Sequence, residues 1–327
     1  MIKFYKVPEL KKPYMIAAWP GMGNVALGAA RYLRKKLRAI PFAEIEPFNF
    51  FNPTGVLIKD RIIEMTSLPE NKFYYWKGLD HDLIIFIGEA QPALDKDYEF
   101  ASKVLDVAEK FGVKRVYTFA AAPAPIPHTK KPKVWCAATS KELLEDLVKY
   151  DVVLMEEGHI SGLNGLLLGS AKEREIDGVC LLGELPYYTT QIENPKSSQA
   201  VLEVLIRILD IKVDIREIEV SAKHTEEEIE KLDREARETM SKFMDYLKQA
   251  EKPIDSEDIE RIKKVFDMYT RIPESAKNKI DQLFSEARKD ISRADELKAE
   301  LDKWGAFGIY EDKFLDLFKK GKRQENH

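Results

Sequence analysis

Only two cysteines, Cys136 and Cys180, occur in the 327 residues. They exclude a disulfide framework and any zinc site built from four thiolates of one chain. Histidine is nearly as sparse: His81, His128, His159, His224 and His327 are scattered with no metal-ligand spacing. No apolar run reaches the ~20 residues that a membrane-spanning helix needs. The opening Met1-Ile2-Lys3-Phe4-Tyr5-Lys6 has no apolar stretch of signal-peptide length. Neither sign of charge dominates, because 52 Lys and Arg face 56 Asp and Glu for a formal charge of -4. That balance gives no global attraction to nucleic acid or to an anionic membrane. The Gly-x-Ser-x-Gly elbow, the Gly-Lys-Ser/Thr of a Walker loop and His-Glu-x-x-His are all missing. The expectation is a soluble cytoplasmic protein with no catalytic residue, metal site or cofactor that its motifs identify.

What is present is unevenly spread. Hydrophobic residues make up 44% and charged residues 33% of the chain, the composition of a folded globular protein. Charged residues form 46% of residues 221–327 but 27% of residues 1–220, whereas 13 of 16 glycines and 14 of 16 prolines lie before residue 221. The contrast predicts an α/β domain over 1–220 and a charged α-helical domain over 221–327, with the boundary near Ser221-Ala222-Lys223-His224.

Short apolar runs at Tyr14 to Trp19, Asp82 to Ile87, Lys114 to Phe119, Val152 to Met155 and Val179 to Leu182 predict strands buried on both faces. Helical spacing lies between them at Val25 to Leu37, Phe100 to Phe111, Lys141 to Tyr150, Leu163 to Glu173 and Ser198 to Leu209. Strand-helix alternation implies a mostly parallel sheet covered on both sides. Glu44 to Phe51, Gly55 to Glu64 and Lys72 to Tyr75 break the alternation and read as an inserted meander of strands. In the charged part, helices are expected from a Thr225/Glu228 capping box onward, from Ser256 to Tyr269, from Glu274 to Trp304 and from Tyr310 to Lys319.

Four loops follow the predicted strands and gather polar residues and glycines. Pro20-Gly21-Met22-Gly23-Asn24-Val25-Ala26 satisfies G-x-G-x-x-A, and Glu44 or Glu46 could supply the acidic residue of a dinucleotide site. The same residues equally suit a tight strand-to-helix turn. Gly88-Glu89-Ala90-Gln91-Pro92 sets a carboxylate and a carboxamide where open α/β sheets place their sites. Glu156-Glu157-Gly158-His159-Ile160-Ser161-Gly162-Leu163-Asn164-Gly165 holds acid, imidazole, hydroxyl and amide together. Ser161 and Asn164 are also ordinary helix-start residues. Gly183-Glu184-Leu185-Pro186-Tyr187-Tyr188 is the fourth loop. Gly21, Gly23, Asn24, Glu89, Gln91, His159, Ser161, Gly162, Asn164 and Glu184 are therefore expected to converge in one ligand or partner crevice at the carboxyl ends of the strands.

Together these loops resemble the proteasome assembly chaperone 2 family over about residues 1–220. The residues that carry the resemblance are Trp19-Pro20-Gly21-Met22-Gly23-Asn24-Val25, the Gly88 to Pro92 loop, Gly158 to Leu168 and Leu181 to Tyr188. It implies a three-layer α/β/α sandwich similar to the nucleoside phosphorylase fold, here with a C-terminal helical extension. It implies a non-catalytic, self-associating protein that helps assemble proteasome α-type subunits, with a homotrimer as the expected oligomer. Relatives can end in a hydrophobic-Tyr-any tail, a pattern that Glu325-Asn326-His327 does not match. The alternative is an enzyme or small-ligand-binding protein using the crevice; no nucleotide-binding lysine set supports the ATP-grasp ligase label that some relatives carry. Two surfaces could serve assembly: the aromatic meander of Phe48, Phe50, Phe51, Phe73, Tyr74, Tyr75 and Trp76, and the helical seam from Ile280 to Trp304, although the seam reads first as the core of an internal helical bundle.

Amides are scarce, with 8 Asn and 6 Gln, while Lys and Glu abound. That balance is a thermophile's tendency. Calorimetry is expected to give a melting temperature above ~80 °C, beyond the mesophile cluster. Reversible unfolding below ~60 °C would contradict it.

Overall fold

A computed structural model describes the chain apart from residues 53–54, 60, 250–273, 289, 304–306, 308–309, 311–312, 316 and 318–327. The strands are β1 (Ile2–Phe4), β2 (Tyr14–Ala18), β3 (Ile40–Ile45), β4 (Val56–Lys59), β5 (Ile62–Met65), β6 (Asn71–Trp76), β7 (Leu83–Gly88), β8 (Arg115–Ala124), β9 (Val134–Ala138), β10 (Val153–Leu154) and β11 (Asp177–Pro186). All but β4 and β5 join one sheet in the order β1-β3-β6-β7-β2-β8-β11-β9-β10. Its centre, β7-β2-β8-β11, is parallel. Antiparallel strands flank it: β6, β3 and β1 beyond β7, and β9 beyond β11.

The apolar runs of the central strands follow from what covers them. Successive residues of a strand point to opposite faces. Ile16 and Ala18 of β2, Ile85 and Ile87 of β7, Tyr117 and Phe119 of β8, and Val179 and Leu181 of β11 share one core. That core includes residues of α1 (Val25–Leu37), α3 (Lys141–Leu147) and α5 (Pro195–Leu209). The alternate residues Met15, Ala17, Ile84, Phe86, Val116, Cys180 and Leu182 share the other core. Helices α2 (Asp97–Lys110) and α4 (Leu163–Glu173) pack there. Helices thus lie on both faces, and the three-layer α/β/α arrangement follows. Each fully buried Val, Leu, Ile or Phe contributes about 1.5–3 kcal/mol of transfer free energy. Cys136 and Cys180 are buried filler, and burial pushes both thiols up to about 12.

The meander differs from the expected run of strands. Strand β3 begins at Ile40 and ends at Ile45, and Pro47–Asn49 form a 3-10 turn where proline cannot continue a ladder. Within the stretch 55–65 the chain reverses, with Arg61 in the left-handed region at φ 66, so one expected strand is the separate hairpin β4–β5. Of the meander aromatics, Phe48 is exposed, Tyr74 and Trp76 are half-buried, and Phe50, Phe51, Phe73 and Tyr75 are buried. Strands β1 and β9 were not anticipated, and the expected strand at Val152 to Met155 is the two-residue β10.

The chain divides into two compact units, Met1–Thr225 and Glu226–His327. The capping-box start at Thr225 is replaced by one helix, α6 (Arg216–Gln249), that begins earlier. Asp214 supplies the start, its Oδ1 accepting from Arg216 N at 3.1 Å. The helix expected at Ser256 to Tyr269 lies outside the described residues, as do 325–327. The long helix expected from Glu274 to Trp304 is two, α7 (Glu274–Ala287) and α8 (Ala294–Lys303), joined through a 3-10 turn at Ile291–Arg293. Asp290, Ile291 and Ser292 are weak helix formers, and the break lets the seam fold on itself. Ile280, Leu283, Phe284 and Ala287 share a core with Ala294, Leu297 and Leu301. These seam residues are therefore internal to their unit, whereas Ile291 is half exposed and Trp304 lies outside the described residues.

Candidate functional site

The parallel strands all deliver their carboxyl ends to one edge, where the loops must satisfy the backbone groups that the ladders leave behind. Strand β2 ends at Ala18, and the next residue, Trp19, is fully buried. Asn164, one residue inside α4, meets this need from across the edge. Its Oδ1 accepts from Trp19 N at 3.1 Å and its Nδ2 donates to Trp19 O at 3.3 Å. A carboxamide presents an acceptor and a donor side by side, so it acts here as a substitute strand partner.

Gln91 makes a second bridge. Its Nε2 donates to Pro20 O at 2.8 Å, and its Oε1 accepts from Leu163 N at 3.2 Å. Leu163 is the first residue of α4, whose leading N–H groups have no partner within the helix. Gly162, at the N-cap, has no side chain to cap them and sits at φ +69. Gln91 supplies the cap from the β7 loop, and a Cβ on Gly162 would press on its amide nitrogen at 3.2 Å.

These bridges frame a cavity of about 340 Å³. Of the expected site residues, Gly21, Gln91, His159, Ser161, Gly162 and Asn164 line it. His159 and Ser161 are exposed. The other four lie elsewhere. Gly23 and Asn24 border a different cavity, of about 300 Å³, beside Glu193 and Asn194. Gly23 is held at φ +60, where a Cβ would meet Leu185 Cδ2 at 2.9 Å. Its N–H donates to Thr190 O at 2.7 Å, and its carbonyl accepts from Asn194 N at 2.8 Å. The G-x-G-x-x-A pattern is thus a tight turn packed against the chain itself. Glu89 faces β6, its Oε2 accepting from Glu70 N at 3.2 Å. Glu184 is buried and accepts from Trp135 Nε1 at 3.0 Å and Lys133 N at 3.1 Å. It ties the antiparallel strand β9 to β11.

Among the lining residues outside the expected set, Asp97 is the polar one. Asp97 opens α2, and its Oδ1 is buried with no hydrogen-bond partner. Burial raises its carboxyl above the usual range, and the charge of Asp95 adds to the effect. An acidic residue in a first helical turn is so ordinary that its position carried no signal. Among the described residues, no group of three His, Cys, Asp or Glu could hold a metal.

With this geometry in hand, comparison with known proteins decides the family. The family model described as PAC2 matches residues 15–233. The chain belongs to the PAC2 family. Among relatives, an uncharacterized protein of Methanocaldococcus jannaschii is 30% identical over 239 residues, 70% of this chain and 86% of that protein. Pyrococcus furiosus PbaB, described as an archaeal proteasome activator, superposes with a TM-score of 0.61 at 33% identity, covering 71% of this chain and 98% of that one. PbaA of the same organism, described as an archaeal homolog of proteasome-assembly chaperone, gives a TM-score of 0.56 at 23% identity, covering 73% and 100%. At that identity the likeness to PbaA is one of fold. The PAC2 match ends before α7 and α8, so the second unit is largely additional to the family's shared part.

The bridges predict a graded loss of stability. Asn164→Ala leaves two buried backbone groups of Trp19 without partners and is expected to cost about 2–4 kcal/mol. Gln91→Ala, at an exposed position that water reaches, is expected to cost about 1 kcal/mol. Denaturant unfolding of both variants checks the order; equal, negligible losses would contradict it.

Proposed function

We propose that this PAC2 protein is a non-catalytic, self-associating partner of the proteasome that binds α-type subunits during assembly. Family membership and the similarity to PbaB support the proteasome as partner. The observation that carries the non-catalytic reading is the state of the polar side chains at the strand ends. Asn164, Gln91, Glu89 and Glu184 are engaged with backbone or indole groups of neighbouring segments. A general acid or base needs to reach a substrate proton; Glu184 is buried and bonded through both oxygens, and Glu89, although exposed, is bonded to the Glu70 backbone. Self-association in threes is the finer expectation from the family resemblance.

A second reading, a small-ligand site in the 340 Å³ cavity, rests on Asp97 with its unpartnered Oδ1. Its carboxyl, raised by burial, would favour a ligand that brings a hydrogen-bond donor.

Native mass spectrometry separates the two. The full chain mixed with archaeal proteasome α-type subunits is expected to give complexes containing both and to change the rate at which α-subunits assemble. Absence of any complex would contradict the proposal. A small-molecule mass retained by the purified protein would favour the second reading.

A further inference from the structure

The hairpin β4–β5 stands outside the main sheet and, among the described residues, its strands pair with each other alone. Its register sets Val56 opposite Met65 and Ile58 opposite Ile63 on one face. Leu57 opposite Glu64 and Lys59 opposite Ile62 form the other. Residues directly opposite one another on antiparallel strands share a face. The first face is therefore wholly apolar, and the second carries a charge of each sign. In water the arrangement should be reversed: a two-stranded hairpin is marginal by itself, and an apolar face is normally buried. Here Val56, Ile58, Ile63 and Met65 are 52%, 71%, 68% and 67% exposed.

We infer that this face is covered by the same face of a second copy of the chain. The inference rests on the self-association proposed above and assigns it a surface. With reference areas of about 180 Å² per residue, the four residues expose about 450 Å², the size of a typical monomer's largest and often functional patch. Two observations favour a copy over an unrelated partner. Two such faces together bury about 900 Å², most of the ~1,200 Å² at which specific interfaces begin, so they can form the centre of a contact completed by a polar rim. The face has no charged or hydrogen-bonding side chain with which to select another chemistry. Under a two-fold axis it meets itself with every apolar residue against an apolar one and no charge buried. Its β-branched Val56, Ile58 and Ile63 are stiff, as suits two sheets stacked ~10 Å apart. Lys59 and Glu64 stay on the reverse face, in water.

A two-fold contact doubles whatever the remaining surfaces assemble, so a ring of three would become six. Sedimentation of the full-length protein tests this with Ile58→Lys on the apolar face and Leu57→Lys on the reverse. Ile58→Lys is expected to halve the mass of the wild-type assembly, and Leu57→Lys to leave it unchanged. Ile63→Thr, which keeps a β-branched residue in the strand, should shift the equilibrium in the same direction as Ile58→Lys. A wild-type oligomer whose mass neither Ile58→Lys nor Ile63→Thr reduces would overturn the hairpin contact and leave self-association standing. A monomeric wild type would overturn both. Equal loss with Leu57→Lys would overturn the assignment to the apolar face.

Discussion

The pair of hydrogen bonds between the Asn164 carboxamide and the Trp19 backbone holds together the edge of the molecule where the strands end. Trp19 lies beyond the last ladder pair of β2, in a fully buried position. A buried, unpaired N–H or C=O costs about 1–3 kcal/mol, so the chain can leave the sheet here only if something else supplies both partners. Asn164 does so, and thereby fixes the start of α4 against β2. The Trp19 ring then packs against Phe86 at 5.1 Å and Phe100 at 6.4 Å. Gly88 leaves it room, since a Cβ there would sit 2.5 Å from the indole. Gln91 adds the third loop by joining Pro20 O to Leu163 N.

The same constraint shapes what the protein can do. Polar residues at the ends of parallel strands are the usual raw material of an α/β active site. In this chain much of that material closes the scaffold. Asn164 and Gln91 hold loops, Glu184 holds an antiparallel strand, and Glu89 holds the turn before β6. His159 and Ser161 remain exposed there, and the β4–β5 hairpin displays six exposed apolar residues. An α/β/α body with an exposed apolar hairpin is suited to contacts with other proteins, which agrees with the description of PbaB as a proteasome activator.

The layers of the fold were legible because burial on both faces leaves a sequence trace, the continuous apolar runs of β2, β7, β8 and β11. Strand β9 carries a short run too, Val134-Trp135-Cys136-Ala137-Ala138, but no helix separates it from β8, so it falls outside the strand-helix alternation, and its antiparallel pairing with the distant β11 has no local period. The site was legible in its residues but not in their roles. Asn164 and Gln91 stood out by position after a strand or at a helix start. Their bonding to Trp19 and Leu163 depends on segments about 70 to 145 residues away. The hairpin shows the opposite failure. The apolar residues Val56, Leu57, Ile58, Ile62, Ile63 and Met65 read as strand, and an apolar strand residue does not by itself tell packing in a core from display on a surface.

Residue-resolved hydrogen exchange of the Trp19 amide tests the central claim most directly. If Asn164 is the partner that holds the strand ends, this amide exchanges only through large-scale opening, as slowly as the amides of β7, and Asn164→Ala accelerates it selectively. Fast exchange of the Trp19 amide in the wild-type protein, or protection that survives in Asn164→Ala, would contradict the account.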